Sequence, residues 1–304
     1  MAQIDSRSGT DLMKSVTWIL LWCLAHTLTM SVAKTLDPAL KSGLGVVMLV
    51  FVRVLAGNIV FAPFVMKNGL SSFKTKRFPL HLIRILLSCL AMGCTYYAYC
   101  NLDLAFMTAI GFSAPLITTM LSVFFFKDRV TPAQWMIVII GYLGVLMVVQ
   151  PFEQQLEPAV IVAILANVFA SMTIATMKKL TETESSVTML LYSNLGLLVV
   201  SGILASIFWQ TPSDSDLQLL AMMGVTATFS QYCYITAIRH GRLSFVAPFE
   251  YTRLVYAVPI GFYFFDEIPT VWTLAGGLVI IMCNYLITHI ERQREQEKQT
   301  KKAA

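Results

Sequence analysis

The sequence contains few charged residues for its length. Aspartate, glutamate, lysine and arginine make up 13% of the 304 residues, whereas hydrophobic types make up 57%. Soluble domains usually carry about 25% charged residues. A soluble fold of this size could not bury so much apolar side chain, because much of its surface must face water. The composition therefore predicts an integral membrane protein.

Motifs for catalysis and metal binding are also missing. There is no glycine-rich phosphate loop with a following lysine, which excludes the usual ATP-hydrolysing machinery, and there is no HExxH or CxxC spacing. The six cysteines all lie in apolar stretches, as expected for buried reduced thiols. We therefore expect neither an enzyme nor a bound metal or cofactor.

Apolar segments long enough to cross a bilayer follow one another along the chain. Short polar or proline-containing turns separate them, so the predicted fold is all-α with ten transmembrane helices. The predicted spans are 16–35, 43–66, 81–101, 104–126, 132–150, 158–177, 187–209, 217–237, 243–265 and 270–290. Residues 1–15 and 291–304 are predicted to be polar or charged tails.

Lysine and arginine lie mostly on one side of this arrangement. Of the 22 basic residues, seventeen lie in the two tails and the loops on their side, two lie on the other side, and three lie within spans. Basic loops remain in the cytoplasm, so both termini are predicted to be cytoplasmic. The net charge of +5 then reflects membrane topology and does not indicate nucleic-acid binding.

The second half of the sequence repeats the first. One fixed shift along the chain, which we call the repeat offset, pairs Cys94 with Cys233, Phe106 with Phe245, Phe112 with Tyr251, and Thr131 with Thr270. The repeats are predicted at 16–150 and 158–290, and each holds five spans. Because five is odd, the second repeat is inverted in the membrane relative to the first, as in many alternating-access carriers.

Three stretches of sequence resemble a known family. Residues 114–116 (Ala-Pro-Leu) and 124–131 (Phe-Phe-Phe-Lys-Asp-Arg-Val-Thr), and the second copy at 264–269 (Phe-Phe-Asp-Glu-Ile-Pro), resemble the EamA-type repeat of the drug/metabolite transporter superfamily. The first copy has Asp128 where that family usually has glutamate. The resemblance implies inverted five-helix repeats and secondary transport of small metabolites across the bacterial cytoplasmic membrane.

A narrower resemblance concerns the substrate. Residues 51–53, 79–84, 189–193 and 247–254 are most similar to S-adenosylmethionine uptake carriers. This implies a small polar substrate, with membrane lipid as the surrounding partner and no nucleic acid. An exporter of amino acids or related metabolites is the alternative. An intramembrane enzyme would require a nucleophile–base or metal cluster, which the sequence lacks, and a receptor would be expected to carry a soluble domain.

Three charged residues are predicted at mid-depth in the membrane: Arg53 in the second span, and Glu250 and Arg253 in the ninth. A charge at the bilayer centre costs at least about 2.5–3.5 kcal/mol on insertion scales, so such residues usually have a function. Glu250 and Arg253 share a helix face. They either form an internal salt bridge or bind charged groups of a substrate. Pro248 would loosen the helix beside them.

Aromatic and polar side chains lie at the same predicted depth. Tyrosines there could stack on a substrate or simply pack, whereas Tyr234, close to a span end, is expected to pack. His26 and Asn167 align with each other when the halves are compared at a slightly longer shift, and each either binds substrate or fixes a helix contact. Arg84, one turn inside its span, is expected to extend to the interface. The predicted substrate-binding residues are Glu250, Arg253, Tyr251, Arg53, Tyr192, His26, Asn167 and Tyr96.

Overall fold

The protein is a bundle of α-helices. The computed structural model describes residues 9–36, 45–68, 75–101, 110–128, 130–149, 158–209, 211–266 and 270–303, and all regular elements within these ranges are helical. Helix is present in each of the ten predicted spans, which confirms the all-α fold. Residues 102–103, which join the third and fourth predicted spans, lie outside the described residues.

The helices of the first half are α1 (Gly9–Thr35), α2 (Gly45–Asn68), α3 (Phe78–Asn101), α4 (Ala114–Phe126) and α5 (Pro132–Val149). Those of the second half are α6 (Pro158–Leu180), α7 (Ser186–Ile207), α8 (Asp214–His240), α9 (Leu243–Val246), α10 (Thr252–Phe265) and α11 (Val271–Ala303). The final helix continues beyond the predicted tenth span into the charged tail.

Local sequence signals set several helix starts. Pro132 and Pro158 are the first residues of α5 and α6, where a missing N–H costs nothing and the fixed φ favours helix. The Ser185 hydroxyl accepts the backbone N–H of Thr188 at 3.0 Å before α7. Ser213 caps α8 in the same way, at 3.2 Å from the N–H three residues later. These caps satisfy backbone donors that would otherwise have no partner.

Two spans are interrupted. In the fourth, residues 110–111 are helical, Phe112 and Ser113 form a turn, and α4 follows; we call this the fourth-span interruption. In the ninth, a 3-10 segment at Ala247–Tyr251 separates α9 from α10; we call this the ninth-span interruption. The repeat offset pairs Phe112 with Tyr251, so the two interruptions occupy equivalent positions.

The helices that follow the two interruptions end identically. Lys127 (φ 52°) and Asp266 (φ 54°) are the non-glycine residues with positive φ in the described ranges, and the repeat offset pairs them. Their backbone N–H groups donate to the carbonyls of Ser122 and Gly261, which the same offset also pairs. Such left-handed caps stop a helix by satisfying its last carbonyls. The two halves therefore share backbone geometry as well as sequence.

Contacts between helix ends show that the repeats are inverted. The Ser15 hydroxyl, near the start of α1, donates to the Ala237 carbonyl near the end of α8 at 2.9 Å. Arg242, before the ninth span, pairs with Asp128, after the fourth, at 3.4 Å. Since the ninth span begins where the fourth ends, these equivalent spans run in opposite directions. These contacts all lie at one end of the bundle, which we call the basic end. It holds residues 11–15, 75–77, 127–128, 178–186 and 237–244.

Packing follows the same symmetry. α1 packs along α8, and the equivalent pair, α6 and α3, packs in the same way, while α5 packs on α11. The approach of α5 to α11 depends on Gly144, where an added Cβ would lie 3.2 Å from the Gly276 carbonyl oxygen. The largest buried cluster includes Ile19, Trp22 and Phe249, and surrounds the ninth-span interruption.

The outer surface of the bundle is apolar. Among the residues that the structure describes, four helices have segments long and apolar enough to cross a membrane, namely Asp11–Val32, Phe78–Thr95, Pro158–Leu180 and Ser186–Ile207. Large side chains such as Phe124 and Tyr263 are 76% and 77% exposed. A surface of this kind requires lipid around it. The chain is therefore a multi-pass membrane protein.

Candidate substrate-binding site at the interrupted helices

Glu250 lies in the ninth-span interruption and is almost completely buried. Its Oε1 accepts a hydrogen bond from the Tyr234 hydroxyl at 2.8 Å. Its Oε2 lies 3.7 Å from Nη2 of Arg253. The carboxylate is therefore held on both sides by protein groups, which compensates the cost of burying its charge. Of the two interpretations of this pair, the internal salt bridge is present in the structure.

Arg253 is held between two aromatic rings. Its Cζ atom lies 5.1 Å from the Trp22 ring centroid and 4.8 Å from that of Phe112. Its Nε donates to the backbone carbonyl of Glu250 at 3.0 Å. Within the described ranges nothing accepts a hydrogen bond from Nη1, and the side chain is 20% exposed. Cation–π contacts thus fix the guanidinium while leaving donors available to a ligand.

Glu250, Arg253 and the three side chains that contact them, Tyr234, Trp22 and Phe112, form what we call the charged group. His26 lies beside it. Its ring centroid is 5.3 Å from that of Trp22, one helical turn earlier on α1. The Arg253 guanidinium lies over the same Trp22 ring, at 5.1 Å from its centroid. The structure therefore brings together three of the predicted site residues: His26, Glu250 and Arg253.

Arg53 is positioned by a close crossing of α2 and α8. A Cβ atom added to Gly224 would lie 2.6 Å from the Arg53 carbonyl oxygen and 2.8 Å from the Gly57 nitrogen. Real Cβ atoms do not approach backbone so closely, so this crossing requires glycine. The crossing fixes how far the Arg53 backbone lies from α8.

Tyr251 packs on a different side of the interruption from Glu250. It is 1% exposed, and a Cβ atom added to Gly141 of α5 would lie 2.9 Å from its ring. Its ring centroid is 6.3 Å from that of Phe112, the ring that also contacts Arg253. The Tyr251 hydroxyl has no hydrogen-bond partner among the described residues. Phe112 thus connects Tyr251 to the charged group.

Asn167 supports the fourth-span interruption. Its amide donates to the Ile110 carbonyl and, at 3.1 Å, to the Ser113 hydroxyl. Ser171, one turn further along α6, donates to the Ala114 carbonyl at 3.4 Å. These carbonyls lie at the turn, where the regular helical bonds are broken. Between the two interpretations of Asn167, the structure shows the helix contact.

The ninth-span interruption is supported from α1 in an equivalent way. The Cys23 thiol donates to the Phe249 carbonyl at 3.3 Å, and the Thr27 hydroxyl to the Arg253 carbonyl at 3.4 Å. Under the repeat offset these acceptors correspond to the two carbonyls that α6 binds in the first repeat. Each interruption is therefore satisfied by side chains from the first helix of the other repeat.

Tyr192 contacts α3. Its ring stacks on that of His81 at 4.5 Å and meets the Phe78 ring at 6.1 Å. These contacts place it toward the start of α3 and separate from the ring contacts of Arg253. The side chain of Tyr96, also predicted for the site, lies outside what the structure describes.

Arg84 differs from its expected behaviour. It was predicted to extend to the interface, but it is 3% exposed and its Nη1 donates to the Met189 carbonyl at 3.1 Å. The prediction was wrong because α7 packs directly against this face of α3, so the side chain meets protein before it reaches water.

The sequence interpretation missed three residues of the charged group. Tyr234 was expected only to pack, yet it donates to Glu250. Trp22 carries a signal that was available, since it lies one turn before His26 on the same helix face. Phe112 aligns with Tyr251 in the repeat, which also marked its position. Tyr234 carried no comparable signal.

A separate crevice of about 440 Å³ lies at the ninth-span interruption, away from Glu250 and Arg253. Phe249, Thr252, Asn284 and Thr288 contribute to its walls, while Glu250 and Arg253 do not. Tyr285 at its rim is 68% exposed, so the crevice opens toward the lipid-facing surface. Within the described ranges there is no group of three or more potential metal ligands.

Inverted repeats with equivalent interrupted helices, and charged groups at an interruption, are typical of membrane transporters. The chain belongs to the EamA-like transporter family, whose model matches residues 13–150 and again 157–288. The match to the family model confirms the predicted resemblance and shows that the protein is a transporter.

The chain is similar to several named transporters. It is 28% identical to an S-adenosylmethionine uptake transporter of Rickettsia conorii, over 93% of this chain and 95% of that protein. It is 24% identical to a riboflavin transporter of Vibrio cholerae, over 94% and 96%. It is 26% identical to the pseudopaline exporter CntI of Pseudomonas aeruginosa, over 90% and 95%. Among solved structures, one crystal structure matches with a TM-score of 0.77 at 15% identity, covering 94% of this chain and 99% of that one.

Proposed function

We propose that the protein is a secondary transporter that carries S-adenosylmethionine by alternating access, in uptake or exchange. One observation supports this most directly. A buried glutamate and an arginine held between two aromatic rings lie together at an interrupted helix, near the middle of the ninth span. A carrier needs such groups where its substrate is held, and their burial is otherwise costly.

The chemistry of the site suits the parts of this substrate. S-adenosylmethionine has a sulfonium, an amino-acid end and an adenine ring. Carboxylates bind well to guanidinium groups, which Arg53 and Arg253 offer. The faces of Trp22 and Phe112 suit the adenine ring or the sulfonium. Glu250 suits a positive group of the substrate.

The relatives support the same substrate. Proteins named as S-adenosylmethionine uptake transporters in four Rickettsia species are similar to this chain at 27–28% identity. The riboflavin and pseudopaline transporters match with slightly lower identity, 24% and 26%. The site residues must therefore decide among substrates on a common fold.

The proposal includes the orientation of the protein in the membrane and the two parts that move against each other. The basic end lies in the cytoplasm with both termini, in a bacterial inner membrane, on the basis of the positive-inside rule. Residues 16–150 and 158–290 form the two halves that rock against each other around the site. Their equivalent interruptions support this division.

Uptake of labelled S-adenosylmethionine into proteoliposomes tests the proposal. We expect saturable uptake that is stimulated by unlabelled substrate inside the vesicles and is absent from protein-free vesicles. S-adenosylhomocysteine, methionine and riboflavin are added as competitors. Saturable riboflavin uptake without S-adenosylmethionine uptake would show that the substrate assignment is wrong.

Export of an amino-acid-derived metabolite is the second candidate function. The similarity to a pseudopaline exporter favours it. The same vesicles distinguish the two, because an exporter gives efflux of preloaded amino acids and no exchange of S-adenosylmethionine.

A further inference from the structure

Two aromatic rings and one carboxylate surround the guanidinium of Arg253. Its Cζ atom lies 4.8 Å from the ring centroid of Phe112 and 5.1 Å from that of Trp22. Oε2 of Glu250 lies 3.7 Å from its Nη2 atom. Proteins bind organic cations such as quaternary ammonium groups in cages of aromatic rings, and a carboxylate adds the attraction of an opposite charge. We call Trp22, Phe112 and Glu250 the cation cage.

The walls of the cage are held by side chains outside it. The Glu250 carboxylate accepts a hydrogen bond from the Tyr234 hydroxyl at 2.8 Å, and the Tyr234 ring packs on Trp22 with the ring centroids 4.8 Å apart. Phe112 is 8% exposed and packs against Tyr251. The cage would therefore keep its shape if the guanidinium left it.

The guanidinium itself is held more loosely at its charged end. The 3.7 Å between Nη2 and the Glu250 carboxylate exceeds the length of a charge-assisted hydrogen bond, which is about 2.7–2.9 Å. The hydrogen bond that anchors the Arg253 side chain runs instead from Nε to the Glu250 backbone carbonyl, at 3.0 Å. The side chain is also 20% exposed. A competing cation can therefore reach this ion pair and replace its positive member.

We propose that Arg253 is a tethered stand-in for the substrate, and that the positive group of a substrate displaces it from the cation cage. The substrate class is thus an organic cation, whose charged group takes the place between Trp22, Phe112 and Glu250. This rests on the proposed function, which identifies that group as the sulfonium of S-adenosylmethionine. The exchange keeps Glu250 paired with a cation at every stage of transport, and a buried carboxylate without a partner is costly.

Calorimetric affinities of the purified full-length protein for S-adenosylmethionine and S-adenosylhomocysteine test this. The two probes share the carboxylate, the amine and the adenine, but the second has a neutral thioether in place of the sulfonium. In Arg253→Gln the sulfonium has no guanidinium to displace. Affinity for S-adenosylmethionine should therefore rise about tenfold, the scale of one desolvated cation–π or charge contact, while affinity for S-adenosylhomocysteine stays as in wild type.

An arginine that bound the substrate carboxylate directly would give a different result. Both probes carry the carboxylate, so Arg253→Gln would weaken both equally, and that outcome would overturn the inference, as would an unchanged ratio of the two affinities. Arg253→Lys keeps a positive charge but loses the planar stacking and the Nε bond, so its ratio should lie between those of wild type and the Gln variant. If the Gln variant does not fold, a wild-type ratio in Arg253→Lys overturns the inference.

A pair of small probes makes a second test independent of the proposed substrate. Trimethylsulfonium and dimethyl sulfoxide have similar pyramidal shapes, and only the first is charged. Trimethylsulfonium should raise the melting temperature of Arg253→Gln, because it fills the cage and pairs with Glu250, whereas dimethyl sulfoxide should not. The double variant Arg253→Gln with Glu250→Gln should respond to neither probe.

Arg84→Gln is the matched control for the small probes. Arg84 is also a buried arginine, 3% exposed, but no carboxylate pairs with it among the described residues, and its Nη1 donates to the Met189 carbonyl at 3.1 Å. This variant should lose stability and show no response to trimethylsulfonium. If wild type binds neither adenosyl probe, the proposed substrate is wrong, but a trimethylsulfonium response confined to Arg253→Gln still supports the cage. An absent response in Arg253→Gln overturns the inference.

Discussion

At the scale of single residues, the charged group works as a unit. Glu250 contacts Tyr234 and Arg253, and Arg253 in turn lies between Trp22 and Phe112. Each member depends on another for its position or for charge compensation. Removing one member therefore affects both the stability of the fold and the binding of substrate.

Replacing Glu250 with Gln keeps the shape of the side chain and removes its charge. Breaking a buried ion pair by removing one partner typically costs about 3–5 kcal/mol. We expect the free energy of unfolding to fall by an amount toward the lower end of that range, because Arg253 is 20% exposed and keeps its two aromatic contacts. Uptake should fall as well, because Arg253 and the positive end of the substrate both lose their partner.

Thermal unfolding and S-adenosylmethionine uptake measured on the same preparation test this expectation. Tyr263→Phe is a matched control, since that residue is 77% exposed on the apolar surface and should change neither quantity. Unchanged uptake in the Gln variant would remove Glu250 from the substrate site and leave it a purely structural role.

At the scale of elements, the crossing of α2 and α8 decides where Arg53 lies. Replacing Gly224 with Ala would place a methyl group 2.6 Å from the Arg53 carbonyl oxygen, so the two helices must separate. Overpacking of this kind typically costs about 1–3 kcal/mol. We expect a lower melting temperature together with reduced uptake, because Arg53 moves away from the site.

The control for this substitution is Gly277→Ala in α11, where an added Cβ atom meets nothing within 4 Å. That variant should keep wild-type stability and uptake. If Gly224→Ala also behaves as wild type in both assays, the close crossing does not position Arg53.

At the scale of the whole molecule, bonds between the two repeats close the basic end. Asp128 of the first repeat meets Arg242 at 3.4 Å and the Ser244 hydroxyl at 3.0 Å. Thr75 donates to Glu184 across the same boundary at 2.8 Å. The alternating access that we propose would require these bonds to break and re-form in each transport cycle.

A reversible cross-link tests that requirement. The double variant Asp128→Cys with Ser244→Cys places thiols at two positions whose native side-chain oxygen atoms lie 3.0 Å apart, and oxidation tests whether a disulfide forms between them. Oxidation should abolish uptake, and a reducing agent should restore it. The variants that carry only Asp128→Cys or only Ser244→Cys serve as controls and should be insensitive to oxidation. Normal uptake by the fully cross-linked protein would mean that this end does not open.

Membrane orientation is also a property of the whole chain. A reporter fused after Lys302 and one inserted within 67–80 should both report the cytoplasm, and one within 151–157 should report the opposite side. The expectation rests on the uneven distribution of lysine and arginine. A carboxy-terminal reporter on the far side would contradict the orientation and the basic end as the cytoplasmic face.

The sequence by itself determined the class and the plan of the molecule. Its low charge required a membrane, its apolar segments marked the spans, and matches between its halves indicated an inverted repeat. The intramembrane charges of Arg53, Glu250 and Arg253 were also visible, because so few charged residues lie within the spans. These features depend on composition and spacing along one chain, which a sequence displays directly.

Only the tertiary structure decided which side chains meet. The rotation of each helix about its axis brought Tyr234 to Glu250 and buried Arg84 against α7. The same rotation gave Asn167 a backbone carbonyl to bind and placed His26 against Trp22, the ring that Arg253 also contacts. A span is apolar on most faces, so its sequence pattern does not define which face turns inward, and helix packing settles it.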